Sequence, residues 1–98
     1  AQFLERYEPA VAMLPPRAAV GYLSDTTFDD VKGQVLYFTA LYAVAPRKLI
    51  DSPDPGPKAE YVLGNFSILE WQPLAEKYPN LETFKDFGNG LVLLRRRN

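Results

Sequence analysis

The chain has 98 residues, with 11 basic and 12 acidic side chains and a formal net charge of −1. This length is enough for one domain, and the near-zero charge excludes a strongly basic nucleic-acid-binding protein. The sequence contains neither Cys nor His, which excludes disulfide bonds, thiolate or imidazole catalysis and the common zinc sites. We therefore predict no cofactor and no metal site.

The N-terminal segment has the pattern of an amphipathic helix from Gln2 to Leu14. Apolar residues recur every three or four positions along it, and Pro9 either kinks the helix or begins a second helical turn. The sequence leaves open whether this apolar stripe docks onto its own domain or forms a homodimer with a second copy. Its members are Phe3, Tyr7, Ala10, Val11 and Leu14.

The next part of the chain predicts two strands that flank one long helix. Residues 18–23 form a short apolar run typical of a buried strand, and residues 48–51 form a second strand. Between them, residues 28–44 have the length of a helix, with Thr27 and Asp30 resembling a capping box at its start. Large apolar side chains sit at helical spacing in this segment: Val31, Val35, Phe38, Leu41 and Tyr42.

The third strand is predicted over residues 60–66, which are rich in aromatic and branched side chains. Ser67 with Glu70 forms a second capping-box pattern, which predicts a helix over residues 68–78. Because proline cannot donate a helical hydrogen bond, Pro73 is expected to separate the first turns from the rest of this helix.

The remaining segments predict a loop and a hairpin. Residues 52–58 contain three prolines and one glycine, a composition typical of an exposed loop. Residues 81–87 and 91–96 predict two strands, and the Gly-Asn-Gly sequence at 88–90 predicts a tight hairpin turn between them. The same three residues lack the Lys-Ser/Thr pair of a phosphate-binding loop.

These elements together predict an α/β domain. If the first two strands share a sheet, they are parallel and form a βαβ crossover with the helix between them. The last two strands form an antiparallel hairpin. We predict a mixed sheet of about five strands with helices packed on it.

Candidate ligand-binding residues follow the predicted strands, because ligands of open α/β sheets bind at the carboxyl ends of the parallel strands. Helix N-termini at the same edge offer backbone N–H groups to an anion. The alternative is that these residues are ordinary helix caps and turn residues. The candidates are Ser24, Asp25 and Thr26 after the first strand, Asp51 after the second, and Asn65 and Ser67 after the third.

Two groups of charged residues offer weaker alternatives. Asp25, Asp29 and Asp30 carry oxygens that suit a hard cation, but they lack the spacing of an EF-hand, and the dipole of the following helix accounts for two of them. Residues 95–97 are three consecutive arginines. Such a run suits phosphates or anionic lipids, but it is more typical of a solvated strand end.

Residues 14–17, 20–25, 37–46, 62–66 and 84–97 carry a resemblance that covers most of the chain. Together they resemble the soluble extracytoplasmic domain of small uncharacterised bacterial membrane-anchored proteins, a family whose motifs carry no chemistry. The resemblance implies a single hydrophobic helix upstream of this domain, with residues 1–14 next to the membrane. Because the chain begins at Ala1 without Met, we expect it to be part of a longer protein.

The missing His and Cys, the absence of a catalytic motif and this resemblance predict a non-enzymatic interaction or sensing domain. It would lie on the outer face of a bacterial membrane and bind an unidentified protein partner there. The alternative is a small-ligand-binding domain, or an enzyme that acts through carboxylates or a bound cation, at the strand ends around Asp25 and Asn65. Nucleic acid is not an expected partner, because the net charge is near zero.

Overall fold

The computed structural model describes residues 2–54 and 59–97. Helices and strands follow one another in the predicted order, except that the N-terminal helix is divided in two. The elements are α1 (Gln2–Glu5), α2 (Glu8–Val11), β1 (Ala19–Leu23), α3 (Val31–Val44), β2 (Lys48–Ile50), β3 (Tyr61–Asn65), α4 (Gln72–Ala75), β4 (Leu81–Gly88) and β5 (Leu91–Arg96).

The described strands form one mixed sheet with the order β2-β1-β3-β5-β4. Strand β1 pairs in parallel with β2 and with β3, while β5 runs antiparallel to both β3 and β4. Because β1 and β2 are parallel neighbours joined through α3, they form the predicted βαβ unit. The α/β class, the mixed five-stranded sheet and the C-terminal hairpin are confirmed.

Both faces of the three central strands β1, β3 and β5 are buried, which explains the uninterrupted apolar run of β5, whereas the edge strand β4 is mostly exposed. Successive residues of a strand point to opposite faces. Leu91 and Leu93 accordingly pack in one apolar cluster with α2 and α3, whereas Val92 and Leu94 pack in a second cluster with Trp71 next to α4. The predicted candidate residues lie at the edge where these two layers meet.

The N-terminal stripe docks onto its own domain. Tyr7 is 1% exposed, and Ala10 and Leu14 are buried with it against α3 and the sheet. Pro9 lies in the first turn of α2. Backbone N–H groups in the first turn have no partner within the helix, so the N–H that proline lacks costs no helical hydrogen bond there. This is why the helix divides instead of running on to Leu14. The side chain of Phe3 lies outside the described residues.

Helix α3 begins three residues later than the sequence predicts, and its cap differs. The Asp30 carboxylate accepts a hydrogen bond from the Gly33 N–H at 2.7 Å, whereas the Thr27 hydroxyl oxygen accepts one from the Asp29 N–H at 3.2 Å. A Cβ atom at Gly33 would collide with the carbonyl oxygen of Thr27. Glycine at this position therefore lets residues 27–30 fold back against the first turn of the helix.

The apolar stripe of α3 is not the side that packs on the sheet. The buried residues of the helix are Gly33, Ala40 and Val44, whose small side chains allow close approach. The exposed fractions on the opposite side are 72% for Val31, 54% for Val35, 48% for Phe38 and 72% for Tyr42. We call these four residues the apolar face of α3. The remaining member of the predicted spacing, Leu41, is half-buried.

The helix predicted after Ser67 is reduced to α4, a single turn with Pro73 at its start. Ser67 does not cap it, because the N–H and hydroxyl of Ser67 both bind Asp25. The capping-box prediction is therefore wrong: a partner distant in sequence competes for the side chain. Trp71, just before α4, stacks on Phe66 with ring centroids 5.8 Å apart and lies in the second apolar cluster.

The hairpin turn follows the prediction. Gly88, Asn89 and Gly90 have φ angles of 84°, 56° and 83°, and two glycines in three positions meet this requirement at little steric cost. The predicted loop over 52–58 is described as far as Asp54, and residues 55–58 lie outside the described residues.

Candidate functional site

The three parallel strands end at the same edge of the sheet, and all six predicted site residues lie along that edge. Their surroundings differ. Two of them are hydrogen-bonded to each other across two loops, one is fully buried, one is hydrogen-bonded to Thr26, and Thr26 and Asp51 line a cavity. The chemistry available at the edge depends on which polar groups are already engaged with one another.

The pair of Asp25 and Ser67 closes the crevice between β1 and β3. The chain leaves β1 toward α3 on one face and leaves β3 toward α4 on the other, so this gap is the switch point where open α/β sheets bind ligands. The Asp25 carboxylate accepts one hydrogen bond from the Ser67 N–H at 2.7 Å and another from the Ser67 hydroxyl. These two residues therefore join the loop after β1 to the loop after β3.

The other polar residues after β1 are also engaged locally. The hydroxyl oxygens of Ser24 and Thr26 lie 2.7 Å apart, and Ser24 Oγ also accepts from the Thr26 N–H at 3.1 Å. Of the three aspartates that were an alternative cation site, Asp25 binds Ser67 and Asp30 caps α3. Among residues 2–54 and 59–97, no group of three or more acidic side chains is arranged to hold a metal ion.

Asn65 ends β3 and is 0% exposed. Its Nδ2 donates to the Leu36 carbonyl oxygen at 2.9 Å and to the Tyr7 hydroxyl at 3.0 Å, with the Tyr22 hydroxyl as a longer contact at 3.4 Å. Its Oδ1 accepts a hydrogen bond from the Arg6 guanidinium at 2.8 Å. Asn65 therefore connects the N-terminal segment, β1 and α3 to the end of β3.

We call Asn65 and its four hydrogen-bond partners the Asn65 cluster, which consists of Arg6, Tyr7, Tyr22, Leu36 and Asn65. The network continues from the Tyr7 hydroxyl to Thr39 Oγ1, 2.8 Å away. In the part of the chain that the structure describes, every buried side-chain nitrogen or oxygen has a hydrogen-bond partner. A buried network satisfied to this degree holds the elements together.

A cavity of about 250 Å³ lies between the carboxyl ends of β1 and β2 and the first turns of α3. The ring of Tyr37 packs nearly perpendicular to two others, with centroids 5.1 Å from Tyr22 and 4.9 Å from Phe28. Asp51 completes the lining from the β2 side. We call it the Asp51 cavity, and it is lined by Tyr22, Thr26, Thr27, Phe28, Gly33, Tyr37 and Asp51.

The electrostatics of this cavity are set by one carboxylate. Asp51 is exposed and has no hydrogen-bond or ion-pair partner among the described residues. Burial raises the pKa of Tyr22 to about 12, against hydrogen bonds to Asn65 and Ser24 that lower it. Burial and, less strongly, the Asp51 carboxylate raise the pKa of Tyr37. Both phenols are therefore neutral at pH 7, and Asp51 carries the charge.

Sequence reasoning placed Thr26 and Asp51 at this edge but missed the aromatic walls. The one available signal was that Tyr22 comes one position before the end of a predicted strand. Phe28 and Tyr37 reach the cavity only because of how α3 lies on the sheet. The partners of Asn65 were missed for the same reason: Tyr7 is 58 positions away in sequence.

Larger hollows occur elsewhere among the described residues. One of about 550 Å³ lies between residues 15–18 and 60–61, and one of about 460 Å³ lies between α4 and β4. Both are toward the amino ends of the parallel strands, away from the edge at which α/β sheets bind ligands. Size alone therefore does not favour them.

The apolar face of α3, unlike the cavities, is an exposed helix surface. Its residues are four, three and four positions apart, which is the spacing of a helix that packs lengthwise on another helix. Within α3 only Lys32 is charged. Phe28 lies next to the face, with its ring centroid 6.3 Å from that of Phe38. A helix that is apolar on both sides is typical of one covered on both sides.

The arginines at 95–97 make contacts within the domain. Arg95 forms a salt bridge with Glu82 at 3.3 Å, and Arg96 lies 3.9 Å from Asp54. Arg97 donates a hydrogen bond to a backbone carbonyl oxygen at the start of β4, at 3.2 Å. The run therefore has structural partners, as expected for a strand end.

Two wider observations complete the description of the chain. Across residues 2–54 and 59–97, no helix has both the length and the apolar character needed to cross a bilayer. Comparisons with protein-family models, with curated proteins and with solved structures found no match.

Proposed function

We propose that this domain is a non-enzymatic interaction domain that pairs with a second copy of itself through the apolar face of α3. The exposure of four large apolar side chains on one side of this helix carries the proposal. The polar residues at the carboxyl edge favour interaction over catalysis. Asp25, Asn65 and Ser67 are hydrogen-bonded to other protein groups, as expected of residues that hold loops and segments together.

The size of the surface supports a weak dimer. With Phe28 included, the apolar face exposes on the order of 500 Å² of side chain. Two copies in contact would bury about 1000 Å², which is the lower limit for a specific protein–protein interface. We therefore expect a reversible dimer with a Kd in the micromolar range.

The spacing and charge of α3 suit a second copy. The helix has 14 residues, a length of about 21 Å. In an antiparallel pair about a two-fold axis, Val35 lies opposite Phe38 of the second copy, and Val31 lies opposite Tyr42. The two Lys32 side chains then lie at opposite ends of the pair, so no like charges meet.

Sedimentation velocity over a range of concentrations tests this proposal. We expect the wild type to shift from monomer to dimer as its concentration rises, and Val35→Glu to stay monomeric, because a charge would be buried in the contact. Leu69→Glu is the matched control: Leu69 is 74% exposed but lies outside α3, so this variant should dimerise like the wild type. Circular dichroism checks that both variants fold.

Three results would overturn the dimer. The wild type stays monomeric up to millimolar concentration, or Leu69→Glu loses the dimer as Val35→Glu does. In the third case, the wild type is monomeric and binds lipid vesicles, and Val35→Glu does not bind them. The apolar face of α3 would then contact a membrane surface and not a second copy.

We further propose, from the resemblance described above, that the domain lies outside a bacterial membrane behind an N-terminal anchor. The test uses the full-length parent protein: membrane fractionation, with protease added to intact spheroplasts. A domain that pellets with membranes and is cut from outside supports this location. A soluble, protected domain contradicts it.

A further inference from the structure

The Asp51 cavity combines three aromatic rings with one carboxylate that has no partner among the described residues. Among the described residues, the side chains that line it include no basic one. The Tyr37 ring stands at 86° to Tyr22 and at 81° to Phe28, so the three rings are not parallel to one another. Tyr22 is 5% exposed, and Tyr37 is half-buried. Aromatic faces attract cations, and this attraction is strongest where water is partly excluded.

We propose that the Asp51 cavity binds a small alkylammonium compound, held between the Asp51 carboxylate and the rings of Tyr22 and Tyr37. The carboxylate supplies the opposite charge. The rings supply apolar contact for the methyl or methylene groups next to the nitrogen, together with the cation–π attraction. This binding would give the interaction domain a sensing role.

The cavity discriminates against anions even though it lies next to a helix N-terminus. Such termini attract anions through their free N–H groups. Here Asp30 already accepts the Gly33 N–H at 2.7 Å, and the negative charge of Asp51 repels a second anion. The local charge balance therefore favours a cation.

The volume limits the ligand to a small compound or a small head group. About 250 Å³ is below the range of cavities that hold drug-sized molecules. At Gly33 the wall is closed by the backbone of Thr27, whose carbonyl oxygen a Cβ atom at Gly33 would strike. A trimethylammonium group or a short primary amine fits these limits.

The test is a choline titration of the whole chain followed by heteronuclear NMR. We expect saturable shifts at the backbone amides of Thr26, Gly33 and Asp51, with a Kd in the millimolar range. Asp51→Asn should weaken binding about fivefold or more, since it removes the charge and keeps the shape. Asp29→Asn is the matched control: Asp29 is an exposed acid near the cavity that does not line it, so binding should be unchanged.

The uncharged carbon analogue of choline is 3,3-dimethylbutan-1-ol (dimethylbutanol), which has the shape of choline without its positive charge. Dimethylbutanol should cause no saturable shifts at these amides. The titration is repeated in Val35→Glu, because Phe28 lies near both the cavity and the apolar face of α3. Binding kept in that variant shows that the cavity acts independently of the dimer. The proposal is overturned if choline gives no saturable shifts, if dimethylbutanol binds as well as choline, or if Asp51→Asn binds choline as the wild type does.

Discussion

Asn65 ends β3 and Asp51 follows β2, with β1 between these two strands, yet the surroundings of the two residues at this edge of the sheet are opposite. Asn65 is 0% exposed and bonds to the N-terminal segment and α3. Asp51 is exposed and has no partner among the described residues. The position of a polar residue at a strand end is therefore not enough to make it part of a ligand-binding site. What distinguishes the two regions is whether the protein itself satisfies the group.

Tyr22 belongs to both regions. Its hydroxyl lies 3.4 Å from Asn65 Nδ2, while its ring lines the Asp51 cavity. If the Asn65 cluster is structural and the cavity is a ligand site, substitutions in the first should change stability and substitutions at Asp51 should not. The following predictions test that contrast.

The largest effect is expected at Asn65. Asn65→Ala leaves the Arg6 guanidinium, the Tyr7 hydroxyl and the Leu36 carbonyl without this partner, and we expect the free energy of unfolding to fall by about 3 kcal/mol. Urea denaturation measures it. Asn80→Ala, at an exposed position, is the matched control and should stay within about 0.5 kcal/mol of wild type. A loss below about 1 kcal/mol at Asn65 would contradict a structural role.

A smaller effect is expected from the ionisation of Tyr22. Burial raises its pKa from 10.0 to about 12, so the folded state holds this proton more tightly than the unfolded chain does. Its contribution to stability is therefore complete below pH 10 and is lost as the pH rises through about 12. Absorbance titration of the tyrosines should show a late-ionising phenol that is missing in Tyr22→Phe. If both proteins titrate alike, the raised pKa is wrong.

The smallest effect on stability is expected at Asp51. Asp51→Ala removes an exposed carboxylate that has no partner among the described residues, so the free energy of unfolding should change by less than about 0.5 kcal/mol. Thermal or urea unfolding measures it beside Asn65→Ala. A loss larger than about 1 kcal/mol would show that Asp51 supports the fold, and the contrast between the two regions would disappear.

Elements whose signals are local were predictable. The hairpin depends on the positive φ angles of residues 88–90, and a Gly-Asn-Gly sequence states this requirement directly. The strands were placed to within one or two residues. For β1, β3 and β5 the reason is that short apolar runs bounded by turn residues suit strands buried on both faces. For Pro9 local chemistry left two alternatives, a kink or the start of a second helical turn, and the structure has Pro9 in the first turn of α2.

Elements decided by distant partners were not predictable. Ser67 has the pattern of a helix cap, yet it binds Asp25, which is 42 positions away. The spacing of Val31, Val35 and Phe38 indicates an apolar stripe, but helical spacing does not say which side of α3 meets the sheet.

By itself, then, the sequence determined the class of fold, the order of its elements and the edge along which the candidate residues lie. Only the tertiary structure decided that Asp25, Asn65 and Ser67 bind other protein groups and that α3 turns its small residues inward. It also decided that Asp51 lies beside aromatic rings, without a partner among the described residues. The physical reason is that hydrogen-bond satisfaction and side-chain packing depend on contacts between residues far apart in the chain, and a single sequence does not display those contacts.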